Sequence, residues 1–178
     1  MELRADAKFA FPRAVVFAAY RDHLADLLPY LPNVRKIEQA SREEPAPGVV
    51  KLLNVWHGGG DIPGVARAFV SEKMLTWDDS ATWNEAEFTC EWVIKTHAFS
   101  EAVSCRGGNR FIERDGSTIL EIRGNIAIDA KKIPGVPGLL AGKVGKAVED
   151  LLVSKIQPNL VSTAEGLGRF LESRGGKL

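Results

Sequence analysis

Apolar and polar residues alternate with a period of two along most of the chain, and a period near four takes over toward its end. Leu3, Ala5, Ala7, Phe9 and Phe11 share one face of the opening segment, while Glu2, Arg4, Asp6 and Lys8 share the other, as in a half-buried strand. Phe11-Pro12 stops it, because proline has no N–H for the ladder and suits the first turn of a helix. Val15, Val16, Ala19 and Tyr20, then Leu24, Leu27 and Leu28, recur at helical spacing. Asp22 is a candidate cap for the second piece, and Pro29 and Pro32 end it. Two short helices are therefore expected after the first strand.

Strand patterns follow in series. Val34 to Ala40 and Val49 to His57 read as a hairpin with a long loop over Glu43-Glu44-Pro45-Ala46-Pro47-Gly48. Gly58-Gly59-Gly60-Asp61 turns the chain, and Val65 to Leu75 reads as another strand. Trp77-Asp78-Asp79-Ser80 has turn chemistry. In the longest alternation, Ala86, Phe88, Cys90, Trp92 and Ile94 face inward and Glu85, Glu87, Thr89, Glu91 and Lys95 outward. Ala102 to Ile112 contains Gly107-Gly108, which permit a bulge or a close backbone approach. A two-residue turn near His97-Ala98 would set Cys90 opposite Cys105 and keep Trp92 and Val103 on one inner face. Asp115-Gly116 signals a hairpin into Ser117 to Asp129, where Leu120, Ile122, Gly124, Ile126 and Ile128 oppose Glu121, Arg123 and Asp129.

From Ile133 to Leu171 the period is helical. Leu140, Val144, Val148, Leu151 and Leu152 form a stripe that resumes, past a kink expected at Pro158, with Leu160, Val161, Ala164, Leu167, Phe170 and Leu171. A long helix after a run of antiparallel strands must bury its stripe against the concave face of their sheet. The fold class is therefore α+β: a curved antiparallel sheet of about seven strands wrapped around a long C-terminal helix. Residues 1–178 form one domain.

Composition narrows the partners. Lys plus Arg and Asp plus Glu each number 23, so the net charge of zero argues against a phosphate backbone as ligand. The charged, alternating start is neither a leader nor a membrane anchor, which gives a cytoplasmic expectation. Cys90 and Cys105 are too few for a disulfide scaffold, and His23 and His97 have no metal-ligand spacing. No metal and no cofactor is expected.

Candidate chemistry is sparse. The glycines after His57 lack the Lys-Ser/Thr of a phosphate loop, and Glu85, Glu87 and Glu91 fall on the outer face. Inward cysteines behave as small hydrophobes. Asn54, between Leu52 and Trp56, must find a partner if buried. No catalytic set emerges.

The order of elements resembles the START and birch-pollen-allergen-like helix-grip superfamily (SRPBCC, the polyketide cyclase/dehydrase and lipid transport superfamily) over nearly the whole chain. The matching phrases are Phe9-Ala10-Phe11-Pro12-Arg13-Ala14-Val15-Val16-Phe17, Leu31-Pro32-Asn33-Val34-Arg35-Lys36-Ile37-Glu38, Asp115-Gly116-Ser117-Thr118-Ile119-Leu120-Glu121-Ile122-Arg123-Gly124 and Lys132-Ile133-Pro134-Gly135-Val136-Pro137-Gly138. The resemblance implies an apolar cavity between sheet and last helix that accepts a lipid, sterol-like or polyketide-like molecule. Phe88, Cys90, Trp92, Ile122, Leu140, Val144, Val148 and Leu151 are the expected lining, and Tyr20, Asn54 and His57 the polar candidates. A carrier or sensor is favoured over an enzyme. A cyclase or aromatase using the same cavity is the alternative, and an interaction protein with a filled core is the third reading. Residues 131–140 would form the mouth, a gate or a lip making at most transient membrane contact, since two lysines supply only about 2 kcal/mol.

Overall fold

The structure, a computed structural model, describes residues 1–59, 75–98, 100–132 and 158–178. Among these, seven strands form one antiparallel sheet: β1 (Glu2–Phe9), β2 (Val34–Ala46), β3 (Val49–Gly58), β4 (Thr76–Asn84), β5 (Thr89–Thr96), β6 (Val103–Arg114) and β7 (Ser117–Ile128). Their spatial order is β1-β7-β6-β5-β4-β3-β2, so β2 to β7 form a meander and β1 adds beside β7. The two edge strands are consecutive in sequence, and the chain between them must cross the width of the sheet. It does so as α1 (Arg13–Asp22) and the 3₁₀ helix Leu24–Tyr30; α1 contacts β6 and β7, and the 3₁₀ helix contacts β2. Thr118 Oγ1 donates to the Phe11 carbonyl at 2.7 Å and so pins the corner where β1 gives way to Pro12.

Inward residues follow the alternation. Leu3, Ala5 and Phe9 on β1, Leu120, Ile122 and Ile126 on β7, and Val16, Phe17, Ala19 and Tyr20 on α1 are buried together. Residues 158–173 are helical, and Ala164, Leu167, Phe170 and Leu171 bury one stripe against this core, with the Phe170 ring 5.6 Å from His23. Val161, expected in that stripe, is exposed. The chain before Pro158, on which the expected kink depends, the strand expected over Val65 to Leu75 except Leu75 itself, and the candidates Leu140, Val144, Val148 and Leu151 lie outside the described residues.

Four expectations are corrected. Strand β2 continues through Glu43-Glu44-Pro45 to Ala46, and the hairpin closes on Pro47-Gly48 with Gly48 at φ +73°. As an edge strand exposed beyond Ile37, it has no apolar face there, and its register is irregular around Pro45, which an edge tolerates. Residues 77–80 belong to β4, and the turn lies at 85–88, where Asn84 Oδ1 accepts from the Ala86 and Glu87 N–H groups at 3.0 and 3.3 Å. Cys90 faces Asn109 and Cys105 faces Ile94, because the β5–β6 connection is longer than two residues. The inward parity survives, since Trp92 and Val103 are both buried. Asp22 caps nothing; it ends α1 and pairs with Arg21 and Arg42, both at 2.8 Å.

Candidate functional site

At one end of the concave face, α1 and the sheet fill the interior with rings. Phe17 makes edge contacts with Trp83, Phe88 and Phe111 at 5.2 to 5.3 Å, and Tyr20 packs on Trp83 at 5.5 Å. Phe88, expected on a strand, sits in the β4–β5 turn at φ +52° with the Arg13 guanidinium 4.0 Å over its ring. Cys90 is buried beside this cluster, opposite Trp83 and Asn109.

Toward the middle the face turns polar. Trp92 Nε1 donates to Asn109 Oδ1 at 3.0 Å, which leaves the Asn109 amide N–H₂ for the Tyr20 hydroxyl. Burial, then the charges of Asp79 and Cys90, push Tyr20 up, so it stays a neutral phenol. The indole of Trp92 lies across the paired Gly107 and Gly124: a Cβ on either would stand 2.4 or 2.6 Å from it. The close approach expected at Gly107 is thus to an indole, without a bulge.

Asp79 lies on β4, the strand next to the middle of the sheet. It lies opposite Asn54 on β3 and Ile94 on β5, between Trp77 and Ala81 on the inward side of β4. Asn54, Trp56 and Ala81 are buried, whereas Asp79, Trp77 and Ile94 keep partial exposure. Protein atoms surround the carboxyl group itself. Burial raises its pKa to about 6, opposed by the Trp56 N–H and the Asn54 amide, which favour the charged form. Burial likewise raises both thiols, Cys105 to about 11. Trp56 stacks on Trp77 at 5.7 Å and 17°.

Tyr20, Asn54, Cys90, Trp92 and Ile122 thus face the interior. His57 does not join them. Its position on β3 alternates with Asn54 and Trp56, so it faces outward and its Nε2 meets Glu38 at 2.9 Å. Asp79 and Asn109 are the residues that sequence reasoning missed. The signal for Asp79 was the alternation Trp77, Asp79, Ala81, Trp83, hidden by the turn-like pair Asp78-Asp79. Among the described residues, no three His, Cys, Asp or Glu side chains come together to hold a metal, and no helix is long and apolar enough to cross a membrane.

A separate cleft of about 500 Å³ opens between α1 and the β2–β3 hairpin. Its two guanidiniums are engaged, Arg21 with Asp22 and Glu85, Arg42 with Asp22 and Glu44, so it reads as a clamp between the two elements.

No family model and no curated protein matches the sequence. Solved structures do match the fold. A protein from Thermus thermophilus shares 18% identity at a TM-score of 0.68, covering 98% of this chain and 99% of that one. The Zhui aromatase/cyclase of a Streptomyces species shares 16% at 0.65, over 98% and 95%. Norcoclaurine synthase from Thalictrum flavum shares 12% at 0.59, over 97% and 86%. These similarities show the fold: the chain has a helix-grip fold, a curved seven-stranded antiparallel sheet with a C-terminal helix. The expectation that favoured a protein without catalysis is overturned, because two of these similar structures are enzymes by name.

Proposed function

We propose that the chain binds a hydrophobic small molecule against the concave face and closes a ring in it by acid–base chemistry, with Asp79 moving the proton. The observation that carries this reading is a single carboxyl group, Asp79, on the inward side of β4 between Asn54 and Ile94, among indoles, aliphatic side chains and neutral amides, where burial raises its pKa to about 6. A general acid–base group works best when its pKa lies near the working pH. The aromatase/cyclase name of a structure with the same fold supports the reaction class.

The carboxylate takes a proton from a carbon flanked by carbonyl groups, the carbanion bonds to a second carbonyl carbon, and the carboxylic acid returns the proton to the resulting alkoxide. Loss of water then allows the ring to aromatise. Asn109 holds the Trp92 N–H and the paired Gly107 and Gly124 seat its ring, a flat apolar wall on the same inward face.

The test uses a hydrophobic poly-β-ketone thioester, with binding followed by tryptophan fluorescence and products by mass spectrometry. Asp79→Asn should keep binding within a few fold and lose turnover by about a hundredfold or more. Unchanged turnover would overturn the assignment.

A further inference from the structure

Trp56 carries a buried N–H with no partner at hydrogen-bond distance and geometry, although its side chain is only 8% exposed. An orphaned donor of that kind costs about 1 to 3 kcal/mol, so its retention asks for a use. Two facts place it diagonally across the β3–β4 pair from Asp79. Trp56 is opposite Trp77, two residues along β4 from Asp79, and its indole is held against the Trp77 ring at 17° between planes. The N–H lies close enough to Asp79 to favour charge on it.

From this geometry we infer that Trp56 is a positioning residue for Asp79: its N–H is a preorganised donor, held in place by Trp77, that receives the carboxylate in the ionised state. This rests on the acid–base reading of Asp79. It adds that the donor is set before the charge forms, so little reorganisation accompanies ionisation. Asn54, directly opposite, supplies the other stabilising group. The remaining titratable neighbours among the described residues are Tyr20 on α1, Cys90 on β5 and Cys105 on β6; burial raises all three, so none competes for the proton near neutrality.

The experiment is a carboxyl ¹³C NMR titration of Asp79 in the intact protein, alongside the ¹⁵N–¹H resonance of the Trp56 indole. As Asp79 ionises, the Trp56 proton should move downfield with the same midpoint, and Asp79→Asn should abolish that movement. Trp56→Phe should raise the Asp79 midpoint by about one unit, a tenfold increase in proton affinity. A Trp56 resonance indifferent to the Asp79 titration overturns the inference, and this measurement on the unaltered protein stands even if Trp56→Phe fails to fold. An unmoved midpoint in folded Trp56→Phe overturns it equally. Neither readout involves turnover, so loss of the catalytic reading would appear separately, as Asp79→Asn retaining activity.

Discussion

The indole nitrogen of Trp92 and the side-chain oxygen of Asn109 meet at 3.0 Å across two paired strands, both residues more than nine-tenths buried. Asn109 is the link between β5, β6 and α1, because its amide nitrogen serves Tyr20. Asn109→Leu should therefore strand two buried polar groups at once. We expect a loss of about 1 to 3 kcal/mol in urea unfolding. Trp92→Phe, which removes the donor as well, should make the further loss from Asn109→Leu smaller than in the parent protein. An additive double mutant would show that the bond contributes nothing.

Gly107 and Gly124 answer to Trp92 in different degrees. A Cβ on Gly124 would meet Trp92 Cη2 at 2.6 Å, with the nearest backbone atom, the Arg106 carbonyl oxygen, at 3.0 Å. A Cβ on Gly107 would meet the Arg123 carbonyl oxygen at 2.3 Å and Trp92 at 2.4 Å. The first clash yields if the indole goes; the second does not, because backbone would have to move. Trp92→Leu should thus restore part of the roughly 1 to 3 kcal/mol lost in Gly124→Ala and little of that lost in Gly107→Ala. Thermal unfolding of the two double mutants decides it, and equal rescue at both glycines would refute the distinction.

These contacts explain where sequence reading succeeded and where it stopped. Alternation made β1, β5 and β7 legible, since each buries one face and exposes the other, and Asp115-Gly116 marked the last hairpin. Edge strand β2 was cut short because pairing through backbone alone leaves no apolar pattern to read. Parity between β5 and β6 survived a register error of four residues, because a shift by an even number keeps every side chain on its face. Asp79 was lost to the turn chemistry of its neighbours, and Asn109 to the glycines before it. Polar residues on an inward face contradict the pattern that identifies the face.

The same register bears on the cysteines. Cys90 and Cys105 are offset by four residues along neighbouring strands, roughly 13 Å at the usual rise, against the 7 Å or less between Cα atoms that a disulfide requires. Each is 2% exposed, and burial holds both thiols protonated at neutral pH. A thiol reagent should react slowly with the native protein and at full stoichiometry in urea. Mild oxidation should leave the mass unchanged. Rapid native labelling, or loss of two hydrogens, would contradict this placement.

Asp79 should also leave a mark on stability. Its pKa rises from 3.8 in the unfolded chain to about 6 in the fold, so between these values the native state binds more protons than the unfolded one. Stability conferred by the neutral carboxyl is present below pH 4 and is lost as pH rises through about 6. The shift corresponds to at most about 3 kcal/mol, less where solvent reaches the group. Asp79→Asn keeps a neutral polar side chain at all pH values and should remove this contribution. Denaturant unfolding at pH 8 should then find the variant more stable than the parent by about 1 to 3 kcal/mol, with the advantage shrinking toward zero near pH 4. A difference that does not change with pH would mean that Asp79 ionises in the fold as readily as in water, and the acid–base reading would lose the property on which it rests.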